Sequence, residues 1–180
     1  MRPRILVAAL LLTLLAAGCG GESGGSGEAT TVAEQPPSPR AAVAAESICS
    51  ELVARAGRMG TEFSTEPDPT EGTSGALDLT TRKLIKPAIP IVEDAARRLR
   101  ALRPQADSVR FDSYVNLFDP VTAILRERVE AGEAGDPTRA RELELQLIDL
   151  SDLQRRLARE AGLEDCDVDF IQAFAGGGAQ

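Results

Sequence analysis

The chain has 180 residues, with 20 Lys+Arg against 28 Asp+Glu and a formal net charge of −8, which argues against a nucleic-acid surface. It contains no His and no Trp, so the commonest general base, the commonest metal ligand and a Ser-His-Asp triad are excluded together. Three Cys are too few for a four-thiolate zinc site.

The N-terminus has the layout of an export signal. Arg2 and Arg4 precede an apolar run from Ile5 to Leu15, and the small residues Ala16, Ala17 and Gly18 lead to Cys19. The apolar run is shorter than the ~20 residues a membrane-spanning helix needs. The stretch Leu15-Ala16-Ala17-Gly18-Cys19 resembles the lipobox of bacterial lipoproteins, with Ala16 where the family prefers Leu. The resemblance implies a signal peptide over 1–18, cleavage before Cys19, and diacylation of the Cys19 thiol. The lipid would then hold the chain at the cell membrane on its extracytoplasmic face. Removing 1–18 takes away Arg2 and Arg4 and no acid, leaving 18 basic against 28 acidic side chains. Anionic lipid repels such a body, so the covalent lipid is the expected anchor.

Residues 19–38 form the lipidated Cys and a flexible linker rich in Gly, Ser, Glu and Pro. A helical domain is expected over 39–175, followed by a disordered tail at 176–180. Its first helix starts at Ser38-Pro39, a hydroxyl cap followed by Pro at the first helical position. Ala45, Ile48, Cys49, Leu52, Val53, Ala56 and Met59 share one face, and Gly60 is expected to end the helix.

After an acidic Pro/Gly-rich loop at 61–76, a second periodic segment runs from Leu77 to Leu102 through Ile85, Ile89, Val92, Ala96 and Leu99. Pro87 and Pro90 should kink it or restart it near Pro90, and the bend can open a ligand pocket. A third segment, Ala106 to Ala131, stacks Phe111, Tyr114, Val115, Phe118, Val121, Leu125 and Val129. Asp119-Pro120 interrupts it, and Asp119 is a candidate cap for a fresh helix. Gly132, Gly135 and Asp136 make a turn. The fourth segment opens at Asp136-Pro137, carries Ala140, Leu143, Leu147, Leu150, Leu157 and Ala161, and closes at Gly162.

Acid-to-Arg spacing of four supports the exposed faces at Glu51–Arg55, Glu93–Arg97, Asp94–Arg98 and Asp152–Arg156. No useful period-2 run is present. The expected fold is all-α: a four-helix up-down bundle with kinked second and third helices, after a signal peptide and linker.

With Cys19 lipidated, Cys49 and Cys166 are left as an even pair in an oxidising compartment, and a disulfide between them is expected. An up-down bundle returns the end of the fourth helix to the start of the first, which puts the two within reach.

Candidate chemistry is sparse. Asp165, Asp167 and Asp169 alternate around Cys166 and resemble the start of a calcium loop. Phe170 stands where an EF-hand needs Gly, and Gly176 where it needs Glu, so only a looser cation cluster survives. Arg97, Arg98, Arg100 and Arg103 crowd the end of the second helix, where they can complement its dipole or hold an anion. Lys83, Lys86 and Tyr114 are the side chains available to a His-free nucleophile system, and no motif joins them.

The reading is therefore a non-catalytic, lipid-anchored extracytoplasmic helical protein that binds another cell-envelope component. The alternative is a small-molecule or cation-binding lipoprotein, using a cleft at the kinked helix or the acidic C-terminal cluster. No cofactor, metal or nucleic-acid partner is expected.

Overall fold

The computed structural model describes residues 35–64 and 72–169, and these are all-helical. The signal segment 1–18, Cys19, most of the linker and the tail at 176–180 lie outside the described residues. Among the described residues no helix is long and apolar enough to cross a membrane.

Helix α1 spans Pro39–Ser64. Ser38 Oγ accepts from the Ala41 amide at 3.4 Å and donates to the Gln105 carbonyl at 2.7 Å, so the cap also docks the helix. The helix runs through Gly60. That residue is buried and is not among the glycines with positive φ, Gly135 and Gly162. A mid-helix Gly costs about 1 kcal/mol relative to Ala, and packing of the neighbouring Met59 against the core offsets such a cost. Gly60 is thus not a stop.

Helix α2 (Gly72–Thr80) passes through a π-helical turn, Thr81–Ile85, into α3 (Lys86–Ala101). The Lys86 amide bonds to the Thr81 carbonyl, one residue farther back than in an α-helix. Pro87 has no amide to donate, and its ring would crowd a regular preceding turn, so the widened turn absorbs it. Pro90 lies inside α3 with an exposed ring. The irregularity falls upstream of Pro87, not at Pro90.

The chain then breaks at Leu102, makes the short α4 (Arg103–Ala106), and turns at Asp107 with φ 46°. Ser108 caps α5 (Val109–Asn116) by accepting from the Phe111 amide, and it donates to the Gln35 carbonyl at 2.7 Å. Helix α6 (Phe118–Glu133) follows a one-residue break at Leu117. Pro120 falls in the first turn of α6, where its missing amide is harmless, so the break precedes Asp119-Pro120. Asp119 does not cap; it pairs with Arg100.

Gly135 at φ +66° turns the chain, and Asp136 caps α7 (Pro137–Glu160) by accepting from the Arg139 amide at 2.9 Å. Gly162 at φ +70° ends α7 before a 3-10 turn at Glu164–Cys166. Gly135, Asp136-Pro137 and Gly162 act as the sequence indicates, whereas Gly132, expected in the turn, lies within α6.

Helix α6 packs on α7 and α3, α3 on α1, α5 on α7, and the C-terminal turn on α1, giving a helical bundle. The core centres on Phe111, Tyr114, Phe118, Leu99 and Leu163. Tyr114 and Phe118 meet edge to face, with ring centroids 5.6 Å apart. Ala41 and Ala45 of α1 and Ala95 and Ala96 of α3 are buried in this core, where small side chains allow close approach of helices.

On α7 the buried stripe is more polar than the Leu positions suggest. Ala140, Leu143, Ser151, Gln154, Ala158 and Ala161 are buried, Leu147 and Leu157 are partly buried, and Leu145 and Ile148 are exposed. The stripe follows seven-residue spacing through 140, 147, 154 and 161, which carries it over Gln154.

Candidate functional site

Cys49, in the middle of α1, and Cys166, in the C-terminal turn, form a disulfide with Cα atoms 5.2 Å apart. Both residues are fully buried. Tyr114 Oη lies 3.3 Å from Cys49 Sγ, and because that sulfur carries no hydrogen, the phenol is the donor. Burial raises the Tyr114 pKa. Gln154 Nε2 is enclosed without a hydrogen bond.

The turn around Cys166 is tied to two helices at once. The Glu164 amide donates to Glu46 Oε1 at 3.2 Å, and Ser50 Oγ donates to Asp165 Oδ2 at 2.9 Å, both on α1. Asp167 accepts from Arg159 Nη1 at 2.7 and 2.9 Å and from Arg155 Nε at 3.2 Å. Ser151 Oγ meets Asp169 Oδ1 at 3.4 Å. The hydrogen bond from Arg159 lowers the Asp167 pKa, with burial opposing and Arg155 assisting.

Asp165, Asp167 and Asp169 therefore point at separate partners, and no group of three acids or thiols among the described residues can hold a metal ion. The alternation that suggested a cation cluster instead sends one acid to α1 and two to α7. A groove of about 390 Å³ lies beside this turn, with Ser50, Val53 and Ala54 facing Asp165, Asp167 and Val168.

A second cleft, about 210 Å³, lies between α3 and α6. Ala96, Thr122 and Ala123 contribute to it, and two cross-helix ion pairs, Glu93–Arg126 and Arg100–Asp119, line it. It sits farther along α3 than Pro87 and Pro90, so the prolines do not make it.

The four arginines at the end of α3 each face an acid. Arg97 pairs with Asp94, Arg98 with Glu51 and Asp94, Arg100 with Asp119, and Arg103 with Asp112. Arg98, Arg100 and Arg103 tie separate helices together, the Arg97–Asp94 pair lies within α3, and the four do not present one open cationic patch. Of the spacing-four pairs, Glu51–Arg55 and Asp94–Arg98 form, at 3.9 and 3.6 Å. Glu93 turns to Arg126 on α6, and Asp152 meets Arg155. Tyr114 is sealed in the core while Lys86 is exposed and paired with Glu133 at 2.7 Å, so those two do not share a site.

The sequence pattern did not single out the buried polar positions Thr81, Ser108, Thr122, Arg128, Ser151 and Gln154. Arg128 had a signal, because it lies three residues after Leu125 and four before Gly132, on a face that is otherwise apolar. Its Nη1 is enclosed with no hydrogen-bond partner. Burial lowers its pKa, and Glu144 opposes the shift by charge alone.

No protein-family model, curated protein or solved structure matches the chain.

Proposed function

We propose that this chain is a lipid-anchored extracytoplasmic protein, non-catalytic, whose helical body binds another cell-envelope component. The observation that carries the reading is the buried Cys49–Cys166 bridge. Such structural disulfides persist in oxidising compartments and are rare in the cytosol. That supports the export implied by the lipobox-like stretch ending at Cys19.

The body is read as an up-down four-helix bundle built from α1, the α2–α3 segment, the α5–α6 segment and α7. The tight turn between α6 and α7 and the pairwise packing of α1 with α3, α3 with α6 and α6 with α7 support this topology.

A binding role is favoured over catalysis because Glu93 and Asp119 in the α3/α6 cleft are tied up in ion pairs with Arg126 and Arg100. In the groove beside the C-terminal turn the hydrogen bond from Arg159 holds the Asp167 carboxyl below its ordinary range, the reverse of what a neutral-pH general acid requires. Leu145 and Ile148 lie one turn apart on the exposed side of α7, where a partner can gain apolar contact.

The test places a photo-crosslinking residue at Leu145 or Ile148 and illuminates the protein in its own membranes. A discrete, reproducible protein adduct is expected at one of them. Adducts at neither position would contradict the α7 docking face. The small-molecule alternative rests on the α3/α6 cleft with its two cross-helix ion pairs.

A further inference from the structure

Among the described residues Arg128 and Gln154 are the buried polar side chains that leave an enclosed nitrogen without a hydrogen bond, and of the two only Arg128 is charged. Arg128 is 9% exposed, and its Nη1 is enclosed without an acceptor. A buried guanidinium without a partner is costly, and native structures rarely leave such a group unexplained. Other arginines of the bundle, among them Arg98, Arg126 and Arg139, reach a carboxylate at 2.5–2.6 Å.

The neighbouring acid does not fill the role. Glu144, on α7, acts on Arg128 only through its charge, and its carboxylate is held by Arg141 at 2.9 Å. Apolar residues adjoin Arg128 on the same face of α6. Ile124 and Ala131, one turn to either side of Arg128, belong to a small cluster with Leu77, Ala140 and Leu143. Apolar walls around a guanidinium strengthen its attraction for an anion.

We infer that Arg128 is the receptor for a small oxyanion of the phosphate class, bound at the junction of α2, α6 and α7. The planar guanidinium can present Nη1 and Nη2 to two oxygens of one anion. The exposed fraction of the side chain gives a path from solvent, and a bridging anion brings an acceptor to the enclosed nitrogen. The anion can be free phosphate or the phosphate of a lipid headgroup near the anchor. This site is independent of the α7 docking face, since it needs neither Leu145 nor Ile148.

The test is thermal unfolding of the full exported chain in inorganic phosphate, against chloride at matched ionic strength. Above saturation, each tenfold rise in phosphate should raise the midpoint by roughly 5 °C. Arg128→Met should fold, because an apolar replacement removes the buried charge, and it should lose the phosphate response. An equal rise in wild type and Arg128→Met would be general salting and would overturn the site, as would no rise in wild type.

Two further arms keep the test decisive. In wild type alone, the Arg128 Nε–H resonance should shift saturably with phosphate, and an unmoved resonance overturns the proposal whatever the variant does. Vesicles containing phosphatidylglycerol, compared with phosphatidylcholine alone, separate the sources. Protection by both phosphate and the anionic vesicles assigns the headgroup, and protection by phosphate alone assigns the free anion.

Discussion

Gly132 of α6 lies against Thr81 of the π turn so closely that a Cβ at 132 would sit 1.9 Å from Thr81 Oγ1 and 2.8 Å from Thr81 Cβ. Thr81 is fully buried, and its hydroxyl is committed to the Leu77 carbonyl at 2.7 Å. The widened turn that accommodates Pro87 therefore meets α6 at a glycine, where no Cβ stands in the way of Thr81.

Gly132→Ala should destabilise the protein by about 2 kcal/mol despite the higher helix propensity of Ala, because overpacking of this kind costs about 1–3 kcal/mol. Adding Thr81→Ala removes the Oγ1 and Cγ2 clashes and should restore part of the loss. A denaturant midpoint for Gly132→Ala at or above wild type would contradict this contact.

The bridge between Cys49 and Cys166 closes a separation of 117 residues, for which chain entropy predicts about 4–5 kcal/mol. Cys49→Ser/Cys166→Ser should lower the unfolding midpoint by an amount of that order. Because both sulfurs are fully buried, reductant should act on the wild type only as fast as the turn opens. Rapid reduction of the native protein by a mild dithiol, with no loss of stability, would show that the bridge is peripheral.

Asp167 gives a pH signature. Its pKa is lowered in the folded protein, chiefly by Arg159. Its contribution is therefore complete above the unfolded value near 3.9 and fades as pH falls through the folded value. Asp167→Asn should cost about 1 kcal/mol at pH 7, as expected for a partly exposed pair. The gap from wild type should close below about pH 4. A gap that stays constant down to pH 2 would mean that the loss is one of packing, not charge.

Much of the bundle was legible from local chemistry. Ser38-Pro39, Asp136-Pro137 and Gly162 fall where caps and stops act through the backbone of their own turn, so sequence spacing suffices to find them. The Cys49–Cys166 pairing followed from parity and helix order. Gly60 misled because tertiary packing overrides a weak helix propensity. Pro87 and Asp119-Pro120 misled because a π turn and a one-residue break at Leu117 absorb prolines in ways that the residue itself does not encode.

The acid partners were the least legible part. Asp167 reads as one of an alternating acidic run, and only the return of the chain along α7 brings it to Arg155 and Arg159. Glu93 likewise crosses to α6 although Arg97 stands at the favoured helical spacing. Long-range pairs depend on the rotation of helices about their axes, which the periodic pattern sets only to within a turn or so.

The central claim is a lipidated, exported, disulfide-closed bundle, and it is tested most directly by non-reducing mass spectrometry of the protein taken from its own membranes. The predicted result is an N-terminal peptide beginning at Cys19 with a diacylglyceryl mass increment, together with a linked Cys49–Cys166 peptide. Cys19→Ser should abolish the increment and release the protein from the detergent phase. An unmodified Cys19 with residues 1–18 retained, or free thiols at Cys49 and Cys166 in the folded protein, would contradict the account.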